Sequence, residues 1–190
     1  MKAFTQDQWS KLLKTILSQL NSDHCSKRIK LIRNLSSGFE GWLLLEVVNA
    51  AKITFENIDI SINEHFEGIN KLDLGLKLND SCCAIELKHI PTNNSNAYSR
   101  FIKGKPSTVV KDFNKLYNTN DSDKILRKIL ILYGSEGLHS VNCLETKTHL
   151  YATCLQCIMK EFIKEIGMVD INWQNHSLSV PGMSMIEISI

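Results

Sequence analysis

The sequence predicts an α/β protein in which helices cover both faces of a mixed β-sheet, with a helical extension at the N-terminus. Three observations predict this class. Apolar residues recur at helical spacing up to Ala51, and they then alternate with polar residues in short runs. After these runs, helical and strand patterns follow one another to the C-terminus. No repeat or linker divides the chain, so we expect one globular unit at 37–190 and the extension at 1–36.

Three helices are predicted in the N-terminal part of the chain. In the first, Thr5 and Gln8 have the spacing of a capping box, and the apolar residues behind them recur every three or four positions. The second helix is expected at 22–35 and the third at about 38–51.

Strand patterns begin after the third helix. Strands are predicted at 53–60, 72–78 and 82–89, and the polar residues Asn79-Asp80-Ser81 indicate a turn between the last two. A helix is expected at 107–118, a buried strand at 125–133 and the longest helix at 144–166. Short strands at 168–173, 178–180 and 185–190 complete the prediction.

Composition excludes several classes of protein. The chain has 190 residues, of which 43% are hydrophobic, which argues against disorder. Its 22 basic and 20 acidic residues give a net charge of +2, which excludes a strongly cationic nucleic-acid coat. The N-terminus lacks the apolar run of a secretory signal, and the apolar stretch 41–51 contains Glu46 and is too short to cross a bilayer. We therefore expect a soluble, cytoplasmic protein without a membrane partner.

The cysteines show no regular spacing and are expected to be reduced core thiols. Cys82 and Cys83 are adjacent in a predicted strand, so their side chains should point to opposite faces. An iron–sulfur cluster built from Cys143, Cys154, Cys157 and one distant cysteine is the alternative.

The two strands around the Asn79-Asp80 turn carry the charged residues of most interest. By strand alternation, Leu72, Leu74, Leu76 and Leu78 share one face of the first strand, and Asp73 lies on the other. In the second strand Glu86 and Lys88 point away from the core, whereas Leu87 and His89 point into it. With Asn79 and Asp80 as a two-residue loop, Asp73 falls directly opposite Glu86. Such a pair of like charges is unfavourable unless a cation such as Mg²⁺ lies between them.

These residues resemble the PD-(D/E)XK nuclease superfamily, which has the restriction-endonuclease-like fold. The resemblance consists of Asp73, the run Glu86-Leu87-Lys88, an acid on the preceding helix (Glu40), and the αβββαβ order across 37–134. It implies hydrolysis of nucleic-acid phosphodiesters with Mg²⁺ as cofactor and Mn²⁺ as a substitute. The implied metal ligands are Asp73, Glu86, Glu40 and the carbonyl of Leu87, and Lys88 would position or activate the attacking water and balance charge. Leu72 stands where the family often has proline.

Each of these assignments has a structural alternative. Asp73, Glu86 and Lys88 also suit a solvated hairpin face with a cross-strand ion pair. Glu40 is the third helical residue after Ser37, so it also suits a capping box. Glu46 is the rival acid on the same helix, and it cannot face the same site as Glu40.

Basic residues after the hairpin suggest where nucleic acid would bind. Arg100, Lys103 and Lys105 are interleaved with aromatic residues and would contact phosphates, and Lys111 follows on the next helix. Ordinary surface lysines and core aromatics give the same pattern.

The sequence thus predicts a metal-dependent endonuclease acting on DNA, for example in restriction or defence, with RNA left open as a substrate. One such site cuts one strand, so cutting a duplex would call for a homodimer. The alternative is a catalytically inactive restriction-like fold that serves as a nucleic-acid-binding or protein-interaction module.

Overall fold

The computed structural model describes residues 1–32, 39–90, 109–119, 122–134, 155–168 and 171–190. The helices are α1 (Gln6–Leu20), α2 (Asp23–Ile32), α3 (Phe39–Thr54), α4 (Val109–Tyr117) and α5 (Leu155–Ile166). The strands are β1 (Lys2–Ala3), β2 (Ile58–Phe66), β3 (Ile69–Leu78), β4 (Ser81–Ile90), β5 (Ile125–Gly134), β6 (Asn172–Ser177) and β7 (Met183–Ser189).

The described strands form one mixed sheet of seven. Its order is β2-β3-β4-β5-β7-β6, and the short β1 pairs with the start of β4. The β4–β5 pair is parallel, whereas β2–β3, β3–β4, β5–β7 and β6–β7 are antiparallel. A parallel pair needs a long crossover connection, and here α4 belongs to the segment that joins β4 to β5.

Each face of the sheet has its own hydrophobic core. Residues of α1, α2 and α3 pack with Leu74, Leu76 and Cys83 on one face, and residues of α4 and α5 pack with Cys82 and Ala84 on the other. The predicted fold class, a mixed sheet covered by helices on both faces, is therefore confirmed. The predicted opposite orientation of Cys82 and Cys83 is confirmed as well.

The first helix forms as its sequence indicates. The Thr5 hydroxyl accepts a hydrogen bond from the backbone N–H of Gln8, and the Gln8 side chain accepts one from the backbone N–H of Thr5. This is the predicted capping box. The helix buries Trp9, Leu12, Ile16 and Leu20 in the core that it shares with the sheet. The expected boundary between 36 and 37 lies outside the described residues.

The strand predicted at 53–60 is wrong in its first half. Helix α3 continues to Thr54, whose hydroxyl donates to the Ala50 carbonyl at 2.7 Å, and β2 begins only at Ile58. The Thr54 hydroxyl also lies 2.9 Å from the Thr15 hydroxyl of α1, so a tertiary contact at the end of α3 overrides local strand propensity.

Predictions near the C-terminus are confirmed in part. The described part of the predicted helix 144–166 is α5, and residues 144–154 lie outside the described residues. Two strands replace the three expected, because residues 178–182 form the connection between β6 and β7. Within the described ranges, no helix has the length and apolar character needed to span a membrane.

Candidate functional site

A fork between β3 and β4 brings buried charged side chains together on the α4 side of the sheet. The turn at Asn79 and Asp80 sets the predicted register, and the ladder runs from Leu78–Ser81 to Leu74–Ile85. The Asn79 backbone has a φ of 53°, a conformation that asparagine tolerates in tight turns. Asp73 and Glu86 lie one position beyond the last pair, where β3 stays paired with β2 and separates from β4.

Asp73 bridges the fork. Its Oδ2 atom accepts a hydrogen bond from the Leu87 backbone N–H at 2.9 Å, so a side-chain carboxylate replaces the backbone carbonyl that a paired strand would offer.

Leu72, which precedes Asp73, packs with Phe66 and Ile69 on the α4 side and not with Leu74 and Leu76. The prediction that all four leucines share one face is therefore wrong at Leu72, where the strand leaves its β4 partner.

Lys88 lies at the centre of the charged region with 8% of its surface exposed. Its Nζ atom is 2.9 Å from Oδ2 of Asp112 and 3.9 Å from Oδ2 of Asp73. It also donates to the Leu87 carbonyl at 3.1 Å. Burial by itself lowers the pKa of Lys88, but the charges of Asp112, Glu40 and Asp73 outweigh burial and raise it. Lys88 is therefore a fixed positive charge.

Glu86 is 1% exposed and forms an ion pair with Lys115 of α4. Burial raises the pKa of Glu86 to about 8, and the nearby charge of Asp73 acts in the same direction. The hydrogen bond from Lys115 opposes this rise without cancelling it. The expectation that Glu86 and Lys88 point away from the core is wrong, because both are buried against Asp112 and Lys115 of α4.

Glu40 reaches the same region from the first turn of α3. Much of the residue is exposed, but its carboxyl lies against β4 and accepts a hydrogen bond from the His89 backbone N–H. Loss of hydration raises the pKa of this carboxyl, and the positive charge of Lys88 opposes the rise. The rival acid Glu46 instead pairs with Arg28 of α2 at 3.6 Å. Residues 33–38 lie outside the described residues, so the predicted cap at Ser37 does too.

We call this group the fork cluster. Its members are Glu40, Asp73, Glu86, Lys88, Asp112 and Lys115. With every group ionised, four carboxylates face two ammonium groups, which leaves two negative charges uncompensated within the cluster. Such an excess favours either proton uptake or binding of a cation.

Asp112 and Lys115 were not among the predicted site residues. Both lie on α4, and Asp112 occupies a buried position between Val109 and Phe113. An acidic residue on the apolar side of an amphipathic helix was the available signal for Asp112. Lys115 follows three residues later, so it lies on the same side of α4.

Not every predicted site residue joins the cluster. Leu87 contributes its backbone groups as described above, and its side chain is in the opposite core. His89 is buried and contacts Phe39 edge to face, as expected for a core-facing histidine. Arg100, Lys103 and Lys105 lie outside the described residues, and Lys111 is exposed on α4.

The cluster fits Mg²⁺ through its donor chemistry. No group of three or more His, Cys, Asp or Glu side chains is arranged to hold a metal ion in the part of the chain that the structure describes. Mg²⁺, however, is commonly held by one or two carboxylates, with water and substrate phosphates as its other ligands. Asp73 and Glu86 supply such a pair. Of the cysteines proposed for an iron–sulfur cluster, Cys143, Cys154 and Cys157 fall on residues whose side chains are not described.

Compared with protein-family models, curated proteins and solved structures, the chain matches none of them.

Proposed function

We propose that this chain is a Mg²⁺-dependent phosphodiesterase that cleaves nucleic acid, with DNA as the expected substrate. One observation carries the proposal. Asp73 and Glu86 lie together at the fork, with excess negative charge around them and the Lys88 ammonium 3.9 Å from the Asp73 carboxylate. Two hard oxygen donors beside a fixed cation suit the hydrolysis of a phosphodiester.

Asp73 and Glu86 would hold the metal ion, which when bound would polarise the scissile phosphate and lower the pKa of a water molecule. Asp73 is oriented for this by the Leu87 N–H, and Glu86 by Lys115. Glu86 must lose its proton before it can bind a cation, so metal affinity should increase as the pH rises through about 8.

Lys88 would supply positive charge to the reacting phosphate. Its raised pKa keeps it protonated, and the contacts with Asp112 and the Leu87 carbonyl fix its position. This favours charge stabilisation over proton abstraction for Lys88. Glu40, held by the His89 N–H, is available to orient water beside the Asp73 carboxylate.

Plasmid cleavage tests the proposal. Wild-type protein should nick supercoiled DNA in millimolar Mg²⁺ and stop when EDTA is added. Asp73→Asn and Lys88→Met should each lower the rate about 100-fold or more, because each removes a preorganised charge from the reacting centre. The matched control is Lys77→Met on the same hairpin, whose partner is Glu67 at the surface, and it should cleave like wild type.

Thermal unfolding of every variant, checked first, separates loss of the site from loss of the fold. Equal nicking by wild type and both site variants would refute the assignment of the active site to the fork cluster. Absence of cleavage from plasmid, single-stranded DNA and RNA alike would overturn the proposal.

The inactive module remains the second candidate, and one observation favours it. The Leu87 carbonyl and the Glu86 carboxylate, both expected metal ligands, are in contact with the ammonium groups of Lys88 and Lys115. If these contacts are permanent, Mg²⁺ and Mn²⁺ will not raise the melting temperature of the protein. Metal-dependent stabilisation would instead favour the phosphodiesterase.

A further inference from the structure

Lys115 links the fork cluster to a separate cavity. Its ammonium contacts the Glu86 carboxylate and donates to the Lys71 carbonyl at 3.0 Å. The same side chain lines a cavity of about 680 Å³ between the β2–β3 turn and the end of α4. A lysine at such a boundary can point either way by rotating about its flexible stem.

The cavity can accept an ammonium group. Its lining is largely polar, and Glu67 offers a carboxylate there. His65, Asn70 and Asn118 are exposed lining residues, so the cavity is open to water. Glu86, in contrast, is almost fully buried, and Lys115 is its ion-pair partner.

From this arrangement we propose that Lys115 is a tethered counter-cation, which occupies the cation-binding side of Glu86 until a divalent ion displaces its ammonium into the cavity. This inference rests on the proposed function, because it assumes that Asp73 and Glu86 bind a metal ion. The exchange keeps Glu86 compensated in both states, by Lys115 before metal binding and by the divalent ion afterwards. In the second state the displaced ammonium lies in an open cavity, where it can contact the backbone phosphates of a nucleic acid.

Acylation of lysine amines, read by mass spectrometry, tests the exchange with Mn²⁺ alone and without nucleic acid. In metal-free protein, at a pH above the pKa of Glu86, Lys115 should react slowly, since its ammonium is engaged with the Glu86 carboxylate. Saturating Mn²⁺ should speed its acylation about fivefold or more, the ratio expected when an ion pair of ordinary strength is released. Lys52, exposed in the last turn of α3, is the internal control, and its reactivity should not change.

Two variants sharpen the test. In Glu86→Gln the ion pair is absent, so Lys115 should be reactive from the start and insensitive to Mn²⁺. In Asp73→Asn the metal site is damaged while the Lys115–Glu86 pair remains, so Lys115 should stay slow with and without Mn²⁺.

Titration calorimetry with Mn²⁺ on the same samples separates the possible failures. If Mn²⁺ binds and Lys115 reactivity does not change, the exchange is wrong and the proposed function stands. If Mn²⁺ does not bind to wild-type protein, both are wrong. If exchange occurs but no nucleic acid is cleaved, the exchange is supported and the phosphodiesterase is not.

Discussion

Two buried charged clusters lie on opposite faces of the same sheet, and they differ in charge balance. The fork cluster holds four carboxyl groups and two lysines, which come from α3, β3, β4 and α4. On the other face, Glu187 of β7 is the centre of what we call the Glu187 cluster. Its members are Trp9, Lys128, His176, Glu187 and Ser189.

In the Glu187 cluster, donors and acceptors are matched. Oε1 of Glu187 accepts from Trp9 Nε1 at 2.7 Å and from Lys128 Nζ at 2.5 Å, and Oε2 lies 3.3 Å from His176 Nε2. Lys128 also donates to the Ser189 hydroxyl at 2.6 Å, and its ammonium lies 4.8 Å from the centre of the Trp9 ring.

The difference shows how burial of charge can serve two purposes. One acid and one lysine, fully hydrogen-bonded, tie α1 to the sheet and leave no charge for a ligand. Four acids and two lysines leave an excess that a cation or protons must compensate. We therefore assign a structural role to the Glu187 cluster and keep the functional proposal for the fork cluster.

The largest expected effect comes from Lys128→Met. It leaves the Glu187 carboxylate buried without its cation, so it should lower the free energy of unfolding by about 3–5 kcal/mol. Lys115→Met should cost about 1 kcal/mol or less, because Glu86, whose pKa is raised to about 8, is mostly neutral at pH 7 and leaves little unpaired buried charge. Urea unfolding at pH 7 measures both.

Adding Glu187→Met to Lys128→Met should recover much of the loss, because the pair is then replaced by apolar side chains. Equal losses for Lys128→Met and Lys115→Met would remove the distinction between the two clusters.

Gly75→Ala should have the next largest effect. Gly75 lies two residues from Asp73, and a Cβ atom at this position would overlap the Phe66 ring. The crowded strand must shift on the fork side of the sheet, so we expect a loss of about 1–3 kcal/mol in urea unfolding.

Gly41→Ala is the matched control, since a Cβ there meets no atom within 4 Å. Gly41 is an exposed residue in helix α3, so this variant should be more stable than wild type by about 0.5–1 kcal/mol. A stable Gly75→Ala protein would show that Phe66 does not constrain the fork.

The last comparison is a pH dependence of stability that Glu86 of the fork cluster should confer. The pKa of Glu86 is about 8 in the folded protein and about 4.5 when the carboxyl is in its ordinary state, so folding takes up a proton between these values. The stability that the protonated carboxyl contributes is complete below pH 4.5 and is lost as the pH rises through about 8. Glu86→Gln cannot titrate, so its stability relative to wild type should increase over this range.

Melting temperatures from pH 5 to pH 9, without divalent metal, measure this change. Glu64→Gln is the same substitution at an exposed site on β2, and its profile should run parallel to that of wild type. A constant difference between Glu86→Gln and wild type across the range would contradict the raised pKa.

The sequence predicted most of what depends on local periodicity. Thr5 and Gln8 predicted the start of α1, and Asn79-Asp80 predicted the turn that sets the β3–β4 register. Both are short-range effects, in which neighbouring residues satisfy each other's backbone groups. The strand start at Ile53 was wrong for the opposite reason, since contact with α1 extends α3 to Thr54.

The candidate site was predictable only where it depends on register. Asp73, Glu86 and Lys88 follow from the hairpin, but the sequence did not indicate that α4 would cover them. Asp112 and Lys115 are more than twenty residues from β4 in the chain, so their place beside it depends on the packing of α4 on the sheet. The choice between Glu40 and Glu46 also depends on how α3 is rotated against its neighbours.

The amino-acid sequence by itself determined the order of helices and strands, the turn, and the pairing of β3 with β4, because these follow from side-chain period and backbone chemistry over a few residues. Only the tertiary structure decided which charges meet and how far they are buried. The Glu187 carboxylate has hydrogen-bond donors for both of its oxygens, whereas the fork has more carboxylates than ammonium groups. This difference depends on which donors distant segments bring to each site. The dielectric environment that shifts a pKa likewise arises only when those segments pack together.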